Sequence, residues 1–107
     1  MASNESQVQN AICEYLEARR HCFFRLNNIP AFNRNGSGIT MRKLPKYTPK
    51  GLPDIVVIRF GRFIGLEVKD KGYQSKDQKA MQEWIESVGG GRYHVVRSID
   101  DVQEIGL

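Results

Sequence analysis

The chain has 107 residues, of which 40% are apolar and 9% aromatic, which is enough for one domain with a modest core. Its longest aliphatic run, Ile55 to Ile58, is far shorter than the ~20 residues of a membrane-spanning helix, so no membrane partner is expected. The first residues include neither a basic nor an apolar segment, which predicts an intracellular protein without a secretory signal. The two cysteines, Cys13 and Cys22, are too few for a disulfide framework or a four-ligand zinc site.

The charged residues are unevenly distributed along the chain. The formal net charge is +4, yet no acidic residue lies between Glu17 and Asp54. This interval contains eight of the sixteen basic residues: Arg19, Arg20, Arg25, Arg34, Arg42, Lys43, Lys46 and Lys50. A basic segment without acids is typical of a protein that binds a polyanion, although a solvated basic loop has the same composition.

In chain order, the first predicted element is a helix, because apolar residues recur at helical spacing from Val8 to Leu16. Residues 23–26 follow as a short strand. Residues 27–53 contain all four prolines and show no periodicity, which predicts a long loop with a short strand near Ile39–Met41. Loops of this length in a compact domain are usually functional or mobile.

The second half of the chain predicts a hairpin, a helix and a strand. Residues 54–60 and 63–69 form the hairpin. Ser75 and Gln78 form a capping box at the start of the helix. Its apolar stripe includes Met81 and Trp84, which we expect to be buried. Residues 93–97 then predict a last strand, with a short helical turn near the end.

The hairpin can be analysed at the level of side chains. Gly61-Arg62 as a two-residue type II′ turn places Asp54 opposite Lys69 and Glu67 opposite Val56. Because side chains alternate between the two faces of a strand, Asp54, Glu67 and Lys69 then share one face. Ile64, Leu66 and Val68 of the second strand then point into a core on the other face.

Two carboxylates that converge beside a lysine suit a specific chemistry. Magnesium binds carboxylate oxygens, retains several waters and also binds phosphate oxygens, so it can activate water for attack on a phosphodiester. The lysine can position that water or stabilise the developing negative charge. A solvent-facing network of Asp54, Glu67 and Lys69 salt bridges is the alternative interpretation.

Three motifs resemble those of a known family. They are Gly51-Leu52-Pro53-Asp54-Ile55-Val56-Val57, Leu66-Glu67-Val68-Lys69 and Ser75-x-x-Gln78. Together they resemble the PD-(D/E)XK nuclease superfamily and, more narrowly, the virus-type replication-repair nuclease (VRR-NUC) domain in its stand-alone phage and bacterial form. The resemblance covers nearly the whole chain, so residues 1–107 are expected to form one such domain. It implies an α/β, restriction-endonuclease-like αβββαβ core with a central mixed sheet flanked by helices.

The resemblance also implies site residues. Asp54 and Glu67 would bind Mg²⁺, with Mn²⁺ as a substitute, the Val68 carbonyl would be a third ligand, and Lys69 would be the catalytic lysine. The family places an acid on the first helix. There the helical wheel selects Glu5, which would face inward and reach the metal through a water. Gln78 is expected to combine its capping role with a role in the site.

Contacts with nucleic acid are predicted from the basic loop and from the resemblance. The predicted DNA-binding residues are Arg25, Asn27, Arg34, Arg42, Lys43, Lys46, Lys50 and Ser75. Stand-alone family members act on branched DNA as homodimers, and apolar loop residues around Ile29, Phe32 and Leu44 are the predicted dimer surface. No small-molecule cofactor is expected. The location would be the cytoplasm of a bacterial cell or of a phage-infected host.

The resemblance therefore implies a metal-dependent, structure-specific DNA endonuclease that cuts branched DNA such as Holliday junctions in replication, repair or recombination. Two other interpretations stay open. One is a non-catalytic nucleic-acid-binding module that uses the same basic loop. The other is a flap or restriction-like nuclease.

Overall fold

The computed structural model describes residues 4–26, 32–35, 38–41 and 45–107, with only the backbone strands described for 32–35 and 38–41. Three helices and six strands lie in these ranges. In chain order they are α1 (Asn4–Ala18), β1 (Cys22–Arg25), β2 (Phe32–Asn35), β3 (Gly38–Met41), β4 (Ile55–Arg59), β5 (Arg62–Val68), α2 (Lys76–Ser87), β6 (Arg92–Val96) and α3 (Ile99–Glu104). None of these helices has the length and apolar character needed to cross a lipid bilayer.

Four of the strands form a mixed sheet in the order β1-β4-β5-β6. The first three pair antiparallel, whereas β5 and β6 pair parallel and are connected through α2. Strands β2 and β3 form a separate antiparallel hairpin. The predicted α/β fold with a central mixed sheet and flanking helices is therefore confirmed. The short strand predicted near Ile39–Met41 corresponds to β3, but its partner β2 lies in a segment whose sequence pattern predicts only loop.

One face of the sheet packs against α1 and α3. Ile12 and Leu16 of α1 are fully buried, as the helical spacing predicts. They share a core with alternate residues of the strands and with the end of the chain. This core contains Ile12, Leu16, Ile55, Val57, Leu66, Val68, Val96, Val102 and Leu107. The prediction that one face of β5 points into a core is confirmed.

Helix α2 covers part of the opposite face. It begins with the predicted capping box, in which the Ser75 hydroxyl accepts from the Gln78 backbone N–H and the Gln78 side chain accepts from the Ser75 N–H. Met81 is buried, but Trp84 is 57% exposed, so the expectation that Trp84 packs in the core is wrong. Its indole instead lines an apolar recess beside Phe63 and Pro49.

The β4–β5 hairpin turns one residue earlier than predicted. Arg59 pairs with Arg62, so Phe60 and Gly61 are the two central residues. Both have positive φ, 51° and 77°, which is the pattern of a type I′ turn rather than the predicted type II′. Moving the turn by one residue changes every pairing by two. Because side chains alternate with a period of two, each residue keeps its face.

Candidate active site

Asp54 lies immediately before β4 and contacts the neighbouring strand. Its Oδ2 accepts a hydrogen bond of 2.8 Å from the backbone N–H of Val68. Its backbone carbonyl accepts from the Leu26 N–H at 2.8 Å, just beyond β1. Since it is bonded to both neighbouring chain segments, Asp54 has a fixed position at this end of the sheet. Because the turn is one residue earlier than predicted, the two predicted cross-strand pairs are wrong. Lys69 is not opposite Asp54, and Val56 pairs with Gly65 rather than with Glu67.

Pro53 and Gly65 together position Asp54. Pro53 is buried against Gly65 of β5, and a Cβ added at Gly65 would lie only 2.8 Å from Cγ of the proline ring. Real Cβ atoms are almost never found so close to another carbon. The missing side chain at Gly65 therefore lets the Pro53-Asp54 segment lie directly on the sheet.

Glu67 is a buried carboxylate with an unusual environment. It is 3% exposed and projects from β5 on the face opposite the main core. Burial, and then the negative charge of Asp54, raise the pKa of Glu67 from its ordinary 4.5 to about 8. The Tyr93 hydroxyl and the Lys69 ammonium act in the opposite sense, since both favour the ionised carboxylate.

Lys69 completes the predicted group. Its Nζ lies 3.9 Å from Oε1 of Glu67, and its side chain is 17% exposed. Its backbone N–H donates to the Val96 carbonyl at 3.1 Å, so the residue stays aligned with the end of β6. The structure therefore brings Asp54, Glu67 and Lys69 together on one face, as the alternation predicts.

Tyr93 is a neighbour that the sequence analysis does not identify. Its buried hydroxyl lies 3.0 Å from Oε2 of Glu67 and 3.2 Å from the Gly51 carbonyl oxygen. Burial and the adjacent Glu67 charge raise the pKa of this phenol above its usual value, so it remains a hydrogen-bond donor. Tyr93 pairs with Gly65 in the parallel register, which puts it on the same face as Glu67. The sequence predicts that Tyr93 lies in a strand. It does not predict the contact with Glu67, because β5, the partner strand, is distant along the chain.

The chemistry of these donors suits a hard divalent cation. The raised pKa of Glu67 reflects its burial first and then repulsion by the adjacent Asp54 carboxylate, and a bound cation would relieve this repulsion. Among the described residues, no group of three or more His, Cys, Asp or Glu side chains could hold a metal ion. Further ligands would therefore be backbone oxygen, water or substrate. Magnesium commonly binds in this way. The Val68 carbonyl remains a predicted ligand.

Glu5 is not where the helical wheel places it. It is exposed in the first turn of α1, so the prediction that it faces inward is wrong. The apolar stripe of α1 is only half-buried at Val8 and becomes fully buried at Ile12. The first turn thus lies at the margin of the core, where the angular position on the helix does not determine burial. Its proposed contact with a metal through water stays a prediction.

Gln78 and Ser75 lie beside the segment that leads to Asp54. Gly51 has a φ of 81° and packs so closely on the Asp77 carbonyl and the Gln78 backbone nitrogen that no side chain would fit. The capping hydrogen bonds occupy the polar atoms of Ser75 and Gln78 described above. Their roles in the site and in DNA binding remain predictions.

The predicted DNA-binding residues are only partly described. Arg25 is exposed, and its guanidinium donates to Gln9 Oε1 at 3.1 Å and Asn10 Oδ1 at 3.2 Å. Lys46 and Lys50 are exposed, in the segment that precedes Asp54. Asn27, Arg42 and Lys43 lie outside the described residues, and Arg34 lies in β2, whose side chains are not described. The same holds for the predicted dimer surface, since Ile29 and Leu44 lie outside the described residues and Phe32 lies in β2.

Comparison with solved structures identifies the fold. A structure described as a "VRR_NUC domain" superposes with a TM-score of 0.65 and 24% sequence identity, and the match covers 97% of this chain and 95% of that chain. This chain has the VRR-NUC fold. No protein-family model and no curated protein match the sequence. The VRR-NUC fold is a nuclease-type fold, and the Asp54, Glu67 and Lys69 cluster lies at one end of its central sheet.

Proposed function

We propose that this chain is a divalent-metal-dependent nuclease that hydrolyses phosphodiester bonds in DNA. The observation that supports it most directly is the buried Glu67 carboxylate held between Asp54, Lys69 and Tyr93 within a VRR-NUC fold. A protein that only binds DNA has no use for two converging carboxylates, since they repel phosphate. The geometry therefore favours catalysis over a non-catalytic binding module.

The roles follow from the positions of the three side chains. Asp54 and Glu67 would hold Mg²⁺ or Mn²⁺, which supplies an acidified water and neutralises charge at phosphorus. Lys69 lies 3.9 Å from Glu67 with its side chain 17% exposed, so its ammonium can orient the attacking water or stabilise the developing oxyanion. Tyr93 and the Val68 N–H fix the orientation of the two carboxylates by hydrogen bonds.

The substrate we propose is branched DNA, including Holliday-type junctions, bound by a homodimer. A single small domain carries one cluster and cuts one strand, whereas resolution of a four-way junction needs two symmetric cuts. A two-fold dimer supplies both. The basic segment that includes Arg25, Lys46 and Lys50 precedes Asp54 in the chain and would attract the phosphates. Sedimentation at micromolar concentration tests the dimer, and a monomer that still cuts junctions would contradict it.

The decisive experiment is cleavage of labelled flap, fork, four-way-junction and linear DNA, with Mg²⁺ and with EDTA, by the native protein and two variants. Asp54→Asn and Glu67→Gln keep the size of each side chain and remove its charge. We expect both to abolish cleavage and to leave DNA binding unchanged or tighter, because a charge that repels phosphate is removed. Glu14→Gln, an exposed acid on α1, is the matched control and should cleave normally. Magnesium-dependent cleavage by both active-site variants would refute the proposed function.

A further inference from the structure

A second cluster of basic side chains lies at the far end of the central sheet. Arg59, Arg62 and Arg92 line a recess of about 490 Å³ together with Phe60 and Ile64. Arg59 pairs with Arg62 across the hairpin, and Ile64 pairs with Arg92, so the neighbouring strands bring the three arginines together. We call four of these residues, Arg59, Phe60, Arg62 and Arg92, the hairpin patch.

The arginines of the hairpin patch form no ion pair with the acids that the structure describes. Among the described residues, an ion pair joins Lys69 and Glu67. No carboxylate oxygen of these residues lies within 4.0 Å of a side-chain nitrogen of the three arginines. Arg59 donates to the Gly106 carbonyl at 2.6 Å, and its guanidinium lies 5.4 Å from the centre of the Phe60 ring. Arg59 is therefore held in place without an ion pair to a described carboxylate.

Phe60 is an unusual residue for its position. It is 92% exposed, and its φ of 51° is in the left-handed region that bulky residues rarely adopt. Asparagine, aspartate or glycine is the usual residue at this position of a type I′ turn. The chain therefore presents a large apolar ring to solvent in a strained conformation, beside three arginines, at a place where packing does not require it.

An exposed aromatic ring surrounded by guanidinium groups is the combination that binds unpaired nucleic acid. Bases stack on the ring, and the cations contact the phosphates. Paired bases are stacked on each other and leave no free face for such a ring. The chemistry of the hairpin patch thus favours a single strand over a duplex.

We propose that the hairpin patch is a binding site for single-stranded DNA, with Phe60 stacking on a base and Arg62 and Arg92 contacting phosphates. The site is distinct from the candidate active site. Arg62 and Glu67 lie five positions apart on β5, which is ~17 Å along the strand, and the two side chains emerge on opposite faces. A strand bound here is therefore not the one held at Asp54. For the proposed nuclease, the patch would favour DNA substrates with an unpaired arm. Only this consequence rests on the proposed function.

The test is binding of fluorescent oligothymidylate of about 20 nucleotides in EDTA, measured by anisotropy over a range of salt concentrations. Phe60→Asn removes the ring and suits the left-handed backbone, so the turn is retained. We expect its affinity for oligothymidylate to decrease ~5- to 150-fold, the effect of losing one base–aromatic stacking contact. Its affinity for an abasic oligonucleotide or for a duplex should not decrease. Thermal unfolding of the variant checks that the fold is intact.

A pair of double variants tests the charges. Arg62→Gln/Arg92→Gln should weaken binding of the single strand at least ~10-fold and reduce the salt slope by ~0.7 for each phosphate that is no longer neutralised. Lys76→Gln/Lys79→Gln removes the same charge from exposed positions of α2 and should change affinity less than twofold. Unchanged binding by Phe60→Asn and by the arginine double variant, or an equal decrease in the lysine double variant, would overturn the proposal.

These measurements separate the inference from the proposed function, because they need neither metal nor cleavage. A protein that binds the single strand through the hairpin patch and never cuts DNA would refute only the nuclease. A nuclease whose arginine double variant binds and cuts unpaired-arm substrates like the native protein would refute only the patch.

Discussion

The hydroxyl of Tyr93 donates a hydrogen bond of 3.0 Å to Oε2 of Glu67, a buried carboxylate that lies beside a second carboxylate, Asp54, and the Lys69 ammonium. This hydrogen bond stabilises the ionised form of Glu67, which is the form that binds a metal ion. The same hydroxyl lies 3.2 Å from the Gly51 carbonyl, so it also connects the site to the segment that precedes Asp54. Tyr93 is thus placed to orient Glu67 rather than to take part in the chemical step.

Tyr93→Phe should weaken binding of Mn²⁺ to the protein by ~10- to 100-fold, the range typical for removal of a hydrogen bond to a metal ligand. Isothermal titration calorimetry without DNA measures this directly. Tyr15→Phe is the matched control, because its hydroxyl also donates to a backbone carbonyl, that of Leu107 at 3.2 Å, outside the site. Equal affinities for the native protein and Tyr93→Phe would show that the hydroxyl serves only packing.

The raised pKa of Glu67 predicts how stability depends on pH when no metal is present. Between pH of about 4.5 and about 8, the unfolded chain has released the proton that the folded protein retains. The free energy of unfolding should therefore fall as pH rises through this window, because unfolding releases the Glu67 proton and is favoured when protons are scarce. Glu67→Gln lacks this titration, so it should be more stable than the native protein above the pKa of about 8.

Thermal unfolding near the lower limit of this window and just above it, at about pH 5 and about pH 8.5, tests the difference between the two proteins, since other groups titrate alike in both. Added Mg²⁺ should stabilise the native protein at the higher pH and have little effect on Glu67→Gln. A difference between the two proteins that does not change with pH would contradict the assignment of the buried proton to Glu67.

Lys69→Met should reduce the single-turnover cleavage rate by ~100-fold or more, while DNA affinity changes less than about threefold. The reason is that the lysine supplies one charge close to Glu67 but only a small part of the basic surface. Lys71→Met, an exposed lysine two residues away, is the control and should retain the native rate. A decrease in affinity with an unchanged single-turnover rate would make Lys69 a phosphate contact.

Gly65→Ala should destabilise the protein by ~1–3 kcal/mol, the usual penalty for overpacking, because its Cβ would meet the Pro53 ring at 2.8 Å. It should also weaken metal binding, since Pro53 moves together with Asp54. The free energies of unfolding of the native protein, Gly65→Ala, Pro53→Ala and the double variant, measured by chemical denaturation, complete a double-mutant cycle. Removal of the proline ring should reduce the cost of the alanine, and strictly additive effects would show that the contact is unimportant.

Lys46→Gln/Lys50→Gln should weaken binding to duplex DNA and reduce its salt slope by up to ~0.9 for each phosphate that the lysines neutralise in the native protein. Both lysines are exposed, so the fold should be unaffected. The measurement is anisotropy with labelled duplex between about 50 and 200 mM salt. An unchanged affinity and slope would identify the basic segment as a solvated surface.

Much of the candidate site could be predicted from sequence because it depends on local rules. The capping box of Ser75 and Gln78 joins residues three positions apart, so no tertiary information is needed. Asp54, Glu67 and Lys69 are correctly predicted to share one face although the predicted turn is wrong. The period of two in a strand makes the face insensitive to a shift of the pairing by two residues.

Tertiary structure alone decided the environment of those residues. The pairing of β6 with β5, which brings Tyr93 to Glu67, joins segments separated by a helix, and no local pattern encodes its register. Trp84 and Glu5 lie on helix positions whose spacing suggests burial, yet both are exposed, because helical spacing does not say whether another element covers that part of the helix. Periodicity in a sequence thus determines which side chains share a face, whereas the contacts of that face depend on long-range packing.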